Sequence, residues 1–312
     1  MKIAFFGSPH FAGEILENIN GRFPVAFVIS QNAKPAGRGK KLTPTPVFQK
    51  AIQLKIPCFT YNDLLNFKTF DFDIGIVVAF GKILPKQLLE KARFGFFNLH
   101  YSLLPKYRGA SPVQFAILNG ESETGATIIK LDEKMDHGPI YRRIKQTILP
   151  TATAGELVEI LTDISIPPIM SLISYVKTEN KLPELSAQKE NEVSYTKILT
   201  KNDGLVPFAA LKKIINNAPV TLEEFPPFIK EQLRSGNLTM KSGRAGQFNR
   251  LSLHNFIRAL NPWPAAWTVL PNGKRLKIYR SHLENENIFL DAVQLEGRNI
   301  SSDLKFINSL IK

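Results

Sequence analysis

The stretch "DIGIVVAFGKILPKQLLEKARFGFFNLH", residues 73–100, decides the fold class of this chain. Two nearly uninterrupted apolar runs, 74–80 and 94–99, stand on either side of a segment with helical periodicity at 84–91. Strands that are apolar on both faces are typical of parallel sheets covered by helices on each side. The stretch therefore predicts one strand–helix–strand unit of such a sheet.

The same alternation of apolar runs and helical segments extends over the first 150 residues. Strands are predicted at 2–6, 25–30, 73–80, 94–100, 125–131 and 140–148, and helices at 10–20, 46–54, 84–91 and 154–177. This order is typical of an α/β protein with a doubly wound, mostly parallel sheet.

A change in polarity and periodicity separates this part of the chain from the rest. Residues 177–197 are polar, poorly periodic and interrupted by Pro183, which is typical of a linker. We therefore predict a first domain at 1–183, a linker at 184–204 and a smaller second domain at 205–312. The second domain is predicted to contain helices at 207–217 and 251–260, and strands at 265–270, 275–280 and 288–295, with a hairpin turn at Asn272–Gly273.

The composition is that of a globular protein with a sizeable core, since 44% of the residues are apolar and 21% charged. The one cysteine, Cys58, excludes an internal disulfide and a cysteine-based metal site, and favours a reducing compartment. The N-terminus lacks the apolar region of a signal peptide. No uninterrupted apolar run approaches the roughly 18 residues of a membrane span. We therefore expect a cytoplasmic protein without a membrane partner.

The net charge of +13 favours a polyanionic partner such as nucleic acid, although solubility alone is an equally frequent reason for basic character. The positive charge is concentrated in two segments. Residues 31–50 hold five basic and no acidic residues, and residues 230–280 hold ten basic residues against Glu231. These segments are the candidates for contact with a phosphate backbone.

Asn98 and His100 are the first candidate site residues. They are two positions apart near the carboxyl end of a predicted strand, so both side chains project to the same side. Ligand crevices of open α/β sheets lie at that end. An imidazole moves protons near neutral pH, and a carboxamide donates hydrogen bonds to a developing oxyanion. Such a pair alone is more often structural than catalytic.

A carboxylate in the loop 131–141 strengthens the hypothesis. Held near His100, it would orient the imidazole and favour its protonated form. We choose Asp136 over Asp132 and Glu133, although periodicity does not decide among them. The turn at 7–9 lacks the complete G-x-G-x-x-G pattern, so we expect no dinucleotide cofactor.

Several segments resemble, in order, those of the methionyl-tRNA formyltransferase family, which uses 10-formyltetrahydrofolate. They are "FFGSPHFA", "KPAGRGKKLTPTPV", "VVAFGKILP", "GFFNLHYSLLPKYRGASPVQFAILNGESETGATI", "MDHGPI", "SYTKI", "IRALNPWPAAWT" and "VQLEG". The resemblance covers residues 1–183 almost continuously and the remainder in pieces. The Asn-x-His, S-L-L-P and later aspartate are specific for formyl transfer, whereas the "PAGRGKK" loop and "ALNPWP" narrow the resemblance to this family.

The resemblance implies transfer of a formyl group from 10-formyltetrahydrofolate to the α-amino group of methionyl initiator tRNA, without a metal. By motif position it implies Asn98, His100 and Asp136 as catalytic residues. The folate-binding segment would be Ser102, Leu103, Leu104 and Pro105, and the tRNA-binding residues Arg38, Lys40 and Lys41. We also expect a monomer whose second domain is an OB-like β-barrel that binds tRNA.

Two departures from the family concern only the second domain. Residues 208–247 form an inserted segment, and a stretch that normally supplies middle strands of the barrel is missing after residue 280. A shortened barrel with an inserted helical segment is therefore expected. Two other functions remain open: a formyltransferase that acts on glycinamide ribonucleotide or a nucleotide sugar, and a catalytically silent RNA-binding protein.

Overall fold

The computed structural model describes residues 1–36, 39, 41–64, 70–239 and 248–311. These residues form two compact units. The first unit comprises Met1–Arg108, Gly125–Gln146 and Val158–Val193, and the second comprises Gly109–Thr124, Thr147–Leu157 and Ser194–Lys312. The segments of the two units interleave, whereas the predicted domains are contiguous. The division into 1–183, 184–204 and 205–312 therefore stays a prediction about domains.

The secondary structure of the described residues alternates strands and helices in the first half of the chain, as predicted. The strands are β1 (Ile3–Gly7), β2 (Val25–Ser30), β3 (Lys34–Ala36), β4 (Lys41–Thr43), β5 (Cys58–Thr60), β6 (Ile74–Val78), β7 (Phe96–His100), β8 (Arg108–Gly109), β9 (Glu123–Lys130), β10 (Ile140–Thr147), β11 (Tyr195–Thr196), β12 (Ala266–Val269), β13 (Arg275–Glu284), β14 (Asn287–Leu295) and β15 (Ile300–Ser301). The helices are α1 (His10–Arg22), α2 (Pro46–Gln53), α3 (Lys86–Leu89), α4 (Pro112–Leu118), α5 (Ala154–Glu179), α6 (Phe208–Ile215), α7 (Pro227–Arg234), α8 (Arg250–Ala259) and α9 (Leu304–Ile311).

The central sheet has seven strands in the order β10-β9-β7-β6-β1-β2-β5. The pairs from β5 to β7 are parallel, and β9 runs antiparallel to β7. All residues of β1 and β6 are buried, which explains why these strands are apolar on both faces. The predicted doubly wound, mostly parallel sheet is thereby confirmed.

An aromatic cluster supports the sheet next to β7. Phe6 contacts Phe72, Phe80 and Phe96, with ring centroids 5.2 to 6.4 Å apart in tilted or edge-to-face geometry. Such pairs add roughly 0.5–1.5 kcal/mol each beyond their buried area. The cluster fixes the position of β7, whose last residues carry the candidate site.

α3 is shorter than the helix predicted at 84–91. It begins after Pro85 and ends at Leu89, and Gly95 with φ 75° leads into β7. Of its four residues only Leu88 is buried, so tertiary packing stabilises little more than one turn.

α5 is long and apolar enough, by length and composition alone, to cross a membrane. The sequence analysis considered only uninterrupted apolar runs and therefore did not single out this helix. Core helices of globular proteins meet the same criterion, and α5 buries apolar residues such as Leu161, Leu172 and Ile173 in the protein. Thr162 of this helix and Tyr101, the residue after β7, form a buried hydrogen bond of 2.7 Å through their hydroxyls.

The second unit contains a four-stranded antiparallel sheet in the order β12-β13-β14-β15. Asn272 and Gly273 form the turn between β12 and β13, as predicted, and Gly273 has a φ of 79°. The described part of the inserted segment contains two helices, α6 and α7, as expected. This four-stranded antiparallel sheet occupies the part of the chain for which a shortened barrel was expected.

Candidate active site

The carboxyl end of β7 presents Asn98 and His100 on one side of the strand. β7 lies between β6 and β9, and Asn98 pairs with Val77 on one neighbour and with Ile129 on the other. The Asn98 side chain is half-buried, whereas His100 is only 6% exposed. Both side chains therefore lie in a largely desolvated position, where hydrogen bonds and charges act more strongly than in water.

The Asp136 carboxylate contacts both of these side chains. Its Oδ1 lies 3.5 Å from Nδ2 of Asn98, and its Oδ2 lies 3.5 Å from Nδ1 of His100. The Asp136 side chain is 13% exposed. The structure thus brings the three predicted residues together, with one carboxylate shared by an amide and an imidazole.

The other two acids of the loop have different partners. Oδ2 of Asp132 lies 2.6 Å from Nδ1 of His137, and Glu133 forms an exposed ion pair of 2.6 Å with Lys86. Neither acid therefore has the shared contact that Asp136 makes.

The backbone carbonyl of Tyr107 determines the tautomer of His100. Nε2 of His100 lies 2.8 Å from this oxygen. A carbonyl oxygen only accepts, so Nε2 carries a proton and donates it. In the neutral ring Nδ1 is consequently the nitrogen without a proton, and it is the atom that faces Asp136. When Nδ1 is protonated, it can donate to the carboxylate.

The loop that carries Asp136 has an unusual backbone. Asp136 itself adopts the left-handed region with φ 49°. Two residues later, a Cβ on Gly138 would lie 1.8 Å from the carbonyl oxygen of Lys130. The backbone nitrogen of Lys130 donates to the carbonyl of Pro139 at 2.9 Å. Glycine is therefore required at 138 for the loop to pack against the end of β9.

Sequence reasoning missed Gln188, Arg108 and the Tyr107 carbonyl. Gln188 belongs to the segment predicted as linker, but its Nε2 donates to the backbone carbonyls of Asp136 and Gly138 at 2.8 and 2.9 Å. No signal in the sequence links Gln188 to a loop 50 residues earlier. Arg108 was not among the predicted site residues, and in the structure it is only 2% exposed.

The predicted folate segment, Ser102–Pro105, forms the turn that follows β7. The side chains of Ser102, Leu104 and Pro105 are buried, and that of Leu103 is partly exposed. Oγ of Ser102 donates to the carbonyl of Lys106 at 2.6 Å, and Leu104 packs in an apolar cluster with Ile129 and Ile140. The polar groups of the turn are thus engaged within the protein, and Leu103 is its residue with accessible surface.

Of the three predicted tRNA-binding residues, the structure describes Lys41, the first residue of β4. Lys41 is exposed and pairs with Ala36 across the two strands. Arg38 and Lys40 lie outside the described residues. The hairpin therefore presents at least one of the three predicted cations to solvent.

Some of the positive charge counted at 230–280 is internal to the second unit. Arg258 is 7% exposed and donates to the carbonyls of Leu149 and Ala152 at 3.3 and 2.9 Å. Arg250 also donates to backbone carbonyls. Counting charges along the sequence therefore overestimates the surface available to a polyanion.

Among the residues that the structure describes, no group of three or more His, Cys, Asp or Glu side chains is arranged to hold a metal ion. The donor set at Asn98, His100 and Asp136 consists of one amide, one imidazole and one carboxylate. It is suited to hydrogen bonding and proton transfer.

Comparison with known proteins identifies the family of this chain. A formyl transferase family model matches residues 1–166, and a model of the formyl transferase C-terminal domain matches residues 249–290. The methionyl-tRNA formyltransferase of Deinococcus radiodurans is 40% identical over 215 residues, which are 67% of this chain and 66% of that protein. The methionyl-tRNA formyltransferase of Clostridioides difficile is 32% identical over 293 residues, which are 92% of this chain and 82% of that protein. The match thus spans just under two thirds of the first relative and most of the second.

A solved structure shares the fold. The sugar 3N-formyl transferase WlaRD superimposes with a TM-score of 0.63 at 18% identity, covering 96% of this chain and 99% of that one. The family models and the two relatives define the relationship, and the superposition supports the fold. The chain therefore belongs to the formyltransferase family, and within it to the methionyl-tRNA formyltransferases.

Proposed function

We propose that the chain transfers the formyl group of 10-formyltetrahydrofolate to the α-amino group of methionyl initiator tRNA. The observation that carries the proposal is the Asp136 carboxylate, which lies 3.5 Å from both the Asn98 amide and Nδ1 of His100. Membership of the family and the exposed basic hairpin support the choice of substrates. The structure of WlaRD, determined with 5-N-formyl-tetrahydrofolate, supports a folate as the donor class.

The folate donor supplies an activated one-carbon unit. In the overall reaction a bond forms between the methionyl nitrogen and the formyl carbon, the bond from that carbon to N10 breaks, and the proton lost by the amine replaces the formyl group. The site residues fit such a reaction, because they offer hydrogen-bond donors for one oxygen and a group that exchanges protons. We assign Ser102–Pro105 to the folate pocket, with Leu103 as the side chain that has accessible surface.

Asn98 and His100 stabilise charge in this proposal. A carboxamide has two N–H donors, so Nδ2 of Asn98 can contact Asp136 and still donate to an oxygen that gains negative charge. A charged His100 adds a positive field in a site where it is 6% exposed. Removal of one such donor typically costs about 10²- to 10³-fold in kcat.

His100 also moves a proton, and its contacts restrict the exchange to Nδ1. Nε2 is held by the Tyr107 carbonyl at 2.8 Å, whereas Nδ1 faces the Asp136 carboxylate. Asp136 thus orients the imidazole and compensates the charge that it gains. This role differs from those of Asp132 and Glu133, which are paired with His137 and Lys86.

The first experiment measures formylation of charged initiator tRNA with 10-formyltetrahydrofolate. We expect activity with methionyl initiator tRNA, and a lower rate with the elongator form. His100→Ala and Asp136→Asn should each lower kcat by about 10²-fold or more, because they remove the proton-exchanging pair. Asp132→Asn is the matched control, with kcat within about threefold of the parent, since it alters an acid outside the shared contact. An inactive parent protein, beside a working enzyme of the same family, would contradict the proposal.

The second experiment separates tRNA from a small acceptor. We propose that Arg38, Lys40 and Lys41 contact the tRNA backbone. Reversing these three charges should weaken tRNA formylation by about tenfold or more and make it less dependent on salt, because fewer counterions are released on binding. Unchanged activity would favour glycinamide ribonucleotide or a nucleotide sugar as the acceptor. Retained tRNA binding without formylation in the parent protein would favour a silent RNA-binding protein.

The proposal includes five further expectations. The chain acts as a monomer in the cytoplasm, without a membrane partner, without a metal, and with residues 1–183 as the catalytic domain. Light scattering checks the mass in solution, cell fractionation checks the compartment, and activity after exhaustive chelation checks the metal.

A further inference from the structure

Gln188 connects two parts of the candidate active site. Its Nε2 donates to the carbonyls of Asp136 and Gly138, at 2.8 and 2.9 Å. Its Oε1 accepts from Nη2 and Nε of Arg108, at 2.9 and 3.2 Å. A primary amide has two N–H donors and two acceptor lone pairs. All four are therefore used, and all within the first unit.

Chemistry alone determines the orientation of this amide. The carbonyls of Asp136 and Gly138 only accept, and the guanidinium of Arg108 only donates. Exchange of the nitrogen and oxygen of Gln188 would place like groups together on both sides. The two N–H groups of Gln188 therefore face the loop that carries Asp136.

That loop depends on contacts from outside itself. Asp136 adopts a left-handed backbone with φ 49°, which costs a residue with a Cβ roughly 1–2 kcal/mol. The carbonyls bound by Gln188 lie on either side of His137, so the amide spans the turn. Release of both carbonyls would allow the backbone to leave this conformation and carry the carboxylate away from Asn98 and His100.

Arg108 anchors the amide and follows the residue that holds His100. Its side chain is 3% exposed and forms an ion pair of 2.8 Å with Glu190. The preceding carbonyl, that of Tyr107, accepts from Nε2 of His100. One chain of contacts therefore runs from Asp136 through Gln188 and Arg108 to the residue that orients the imidazole. The partners of both ring nitrogens of His100, Asp136 and the Tyr107 carbonyl, therefore belong to the same network.

We propose that Gln188 is a positioning residue that holds the Asp136 carboxylate between Asn98 and His100. The proposal rests on the proposed function, in which this carboxylate compensates the charge of His100. Gln188 itself touches backbone and Arg108, so it acts through Asp136. A segment predicted to link two domains thus completes the site.

The test exchanges the chemistry of two positions in the full chain. The reference protein carries Glu190→Gln, and the test protein carries Gln188→Glu together with Glu190→Gln. The test protein keeps one carboxylate and one amide at 188 and 190, and position 188 still accepts from Arg108. Compared with the reference, it loses the two donors to the loop carbonyls and places one carboxylate oxygen against them. We expect kcat about 10- to 100-fold below the reference, because a displacement of roughly 1 Å can cost about 10²-fold.

Two readouts distinguish positioning from a general loss of structure. The KM for methionyl-tRNA should stay within about threefold of the reference, since the residues proposed to bind tRNA, 38–41, belong to another part of the chain. In an Asp136→Asn background, the same exchange at 188 should lower kcat by less than about threefold, because coupled residues do not act additively. An unchanged kcat, or an equal loss in both backgrounds, overturns the proposal.

Hydrogen exchange supplies a readout that does not need activity. Amides in peptides covering 131–139 should exchange faster in the test protein than in the reference, while peptides of β1 and β6 stay unchanged. If neither protein formylates tRNA, the proposed function fails and hydrogen exchange still decides the role of Gln188. Equal exchange over 131–139 overturns that role, and faster exchange throughout the first unit indicates global destabilisation and overturns it as well.

Discussion

Gly138→Ala is the most direct test of the geometry around Asp136. A Cβ at this position would lie 1.8 Å from the carbonyl oxygen of Lys130 and 3.0 Å from its carbonyl carbon. Carbon and oxygen atoms in close protein contacts are about 3.3–3.6 Å apart. The methyl group therefore requires a relative displacement of about 1.5 Å between backbone segments.

The displacement affects stability and activity by different amounts. Overpacking of this kind costs typically about 1–3 kcal/mol of unfolding free energy. Gly138 is two residues from Asp136, whose carboxylate contacts Asn98 and His100 at 3.5 Å. A shift of an ångström or more at Asp136 should lower kcat by about 10²-fold, with little change in the KM for tRNA.

The assay compares formylation kinetics and thermal unfolding of Gly138→Ala with those of Gly21→Ala. Gly21 lies in α1, and a Cβ there meets nothing within 4 Å. Alanine at 21 should therefore leave kcat unchanged and stabilise the protein by up to about 1 kcal/mol. A kcat for Gly138→Ala within threefold of the parent would refute the argument that this loop is held by close packing against β9.

Further predictions concern two buried basic residues of the second unit, Arg258 and His254. Arg258→Met should lower the unfolding free energy by about 2–4 kcal/mol, because it leaves the carbonyls of Leu149 and Ala152 without their donor. Urea unfolding measures this free energy, and a loss below about 0.5 kcal/mol would contradict the prediction. Burial, followed by the charge of Arg258, lowers the pKa of His254 from its ordinary 6.5. Below pH 6.5 the unfolded chain binds a proton that the folded chain does not, so this contribution is complete above pH 6.5 and declines as the pH falls toward the folded pKa. The melting temperature should therefore decrease from pH 7.5 to 5.5, and His254→Gln should reduce that slope; an identical slope in the variant would exclude His254 as the cause.

The fold of the first unit was predictable because its signals are local. The apolar runs at 74–80 and 94–99 bury both faces of a strand, and this requirement is visible residue by residue. The spacing of Asn98 and His100 placed both on one side of β7, since side chains of a strand alternate with a period of two. The length of α3 was not predictable, because it depends on tertiary packing. Only Leu88 is buried, and this contact supports about one turn.

The sequence of the loop does not determine which of its three acids contacts His100. Asp132, Glu133 and Asp136 are carboxylates within five consecutive residues, so the sequence does not distinguish them. Asp132 pairs with His137 of the same loop, whereas the partners of Glu133 and Asp136 are on other segments. Asp136 meets the end of β7 only because the backbone turns through a positive φ and Gly138 fits against Lys130. The roles proposed for these residues remain predictions for the assays above.

Charge and hydropathy counts also failed where three-dimensional contacts decide. Arg258 contributes to the net charge of +13 but lies in the protein interior. α5 is apolar without an uninterrupted apolar run, and by composition it resembles a membrane span. Neither a count of charged residues nor the length of an apolar run shows which side chains are buried by other segments of the protein.

The amino-acid sequence by itself determined the parallel sheet, the common side of Asn98 and His100, and the family resemblance, because each depends on residues close together in the chain. The tertiary structure decided which carboxylate joins them, which tautomer His100 adopts, and that Gln188 supports the loop. These contacts join segments that are 7 to 52 residues apart. Their geometry depends on backbone carbonyls and on a left-handed backbone conformation at Asp136. Neither feature can be recognised from the pattern of residue types in the sequence.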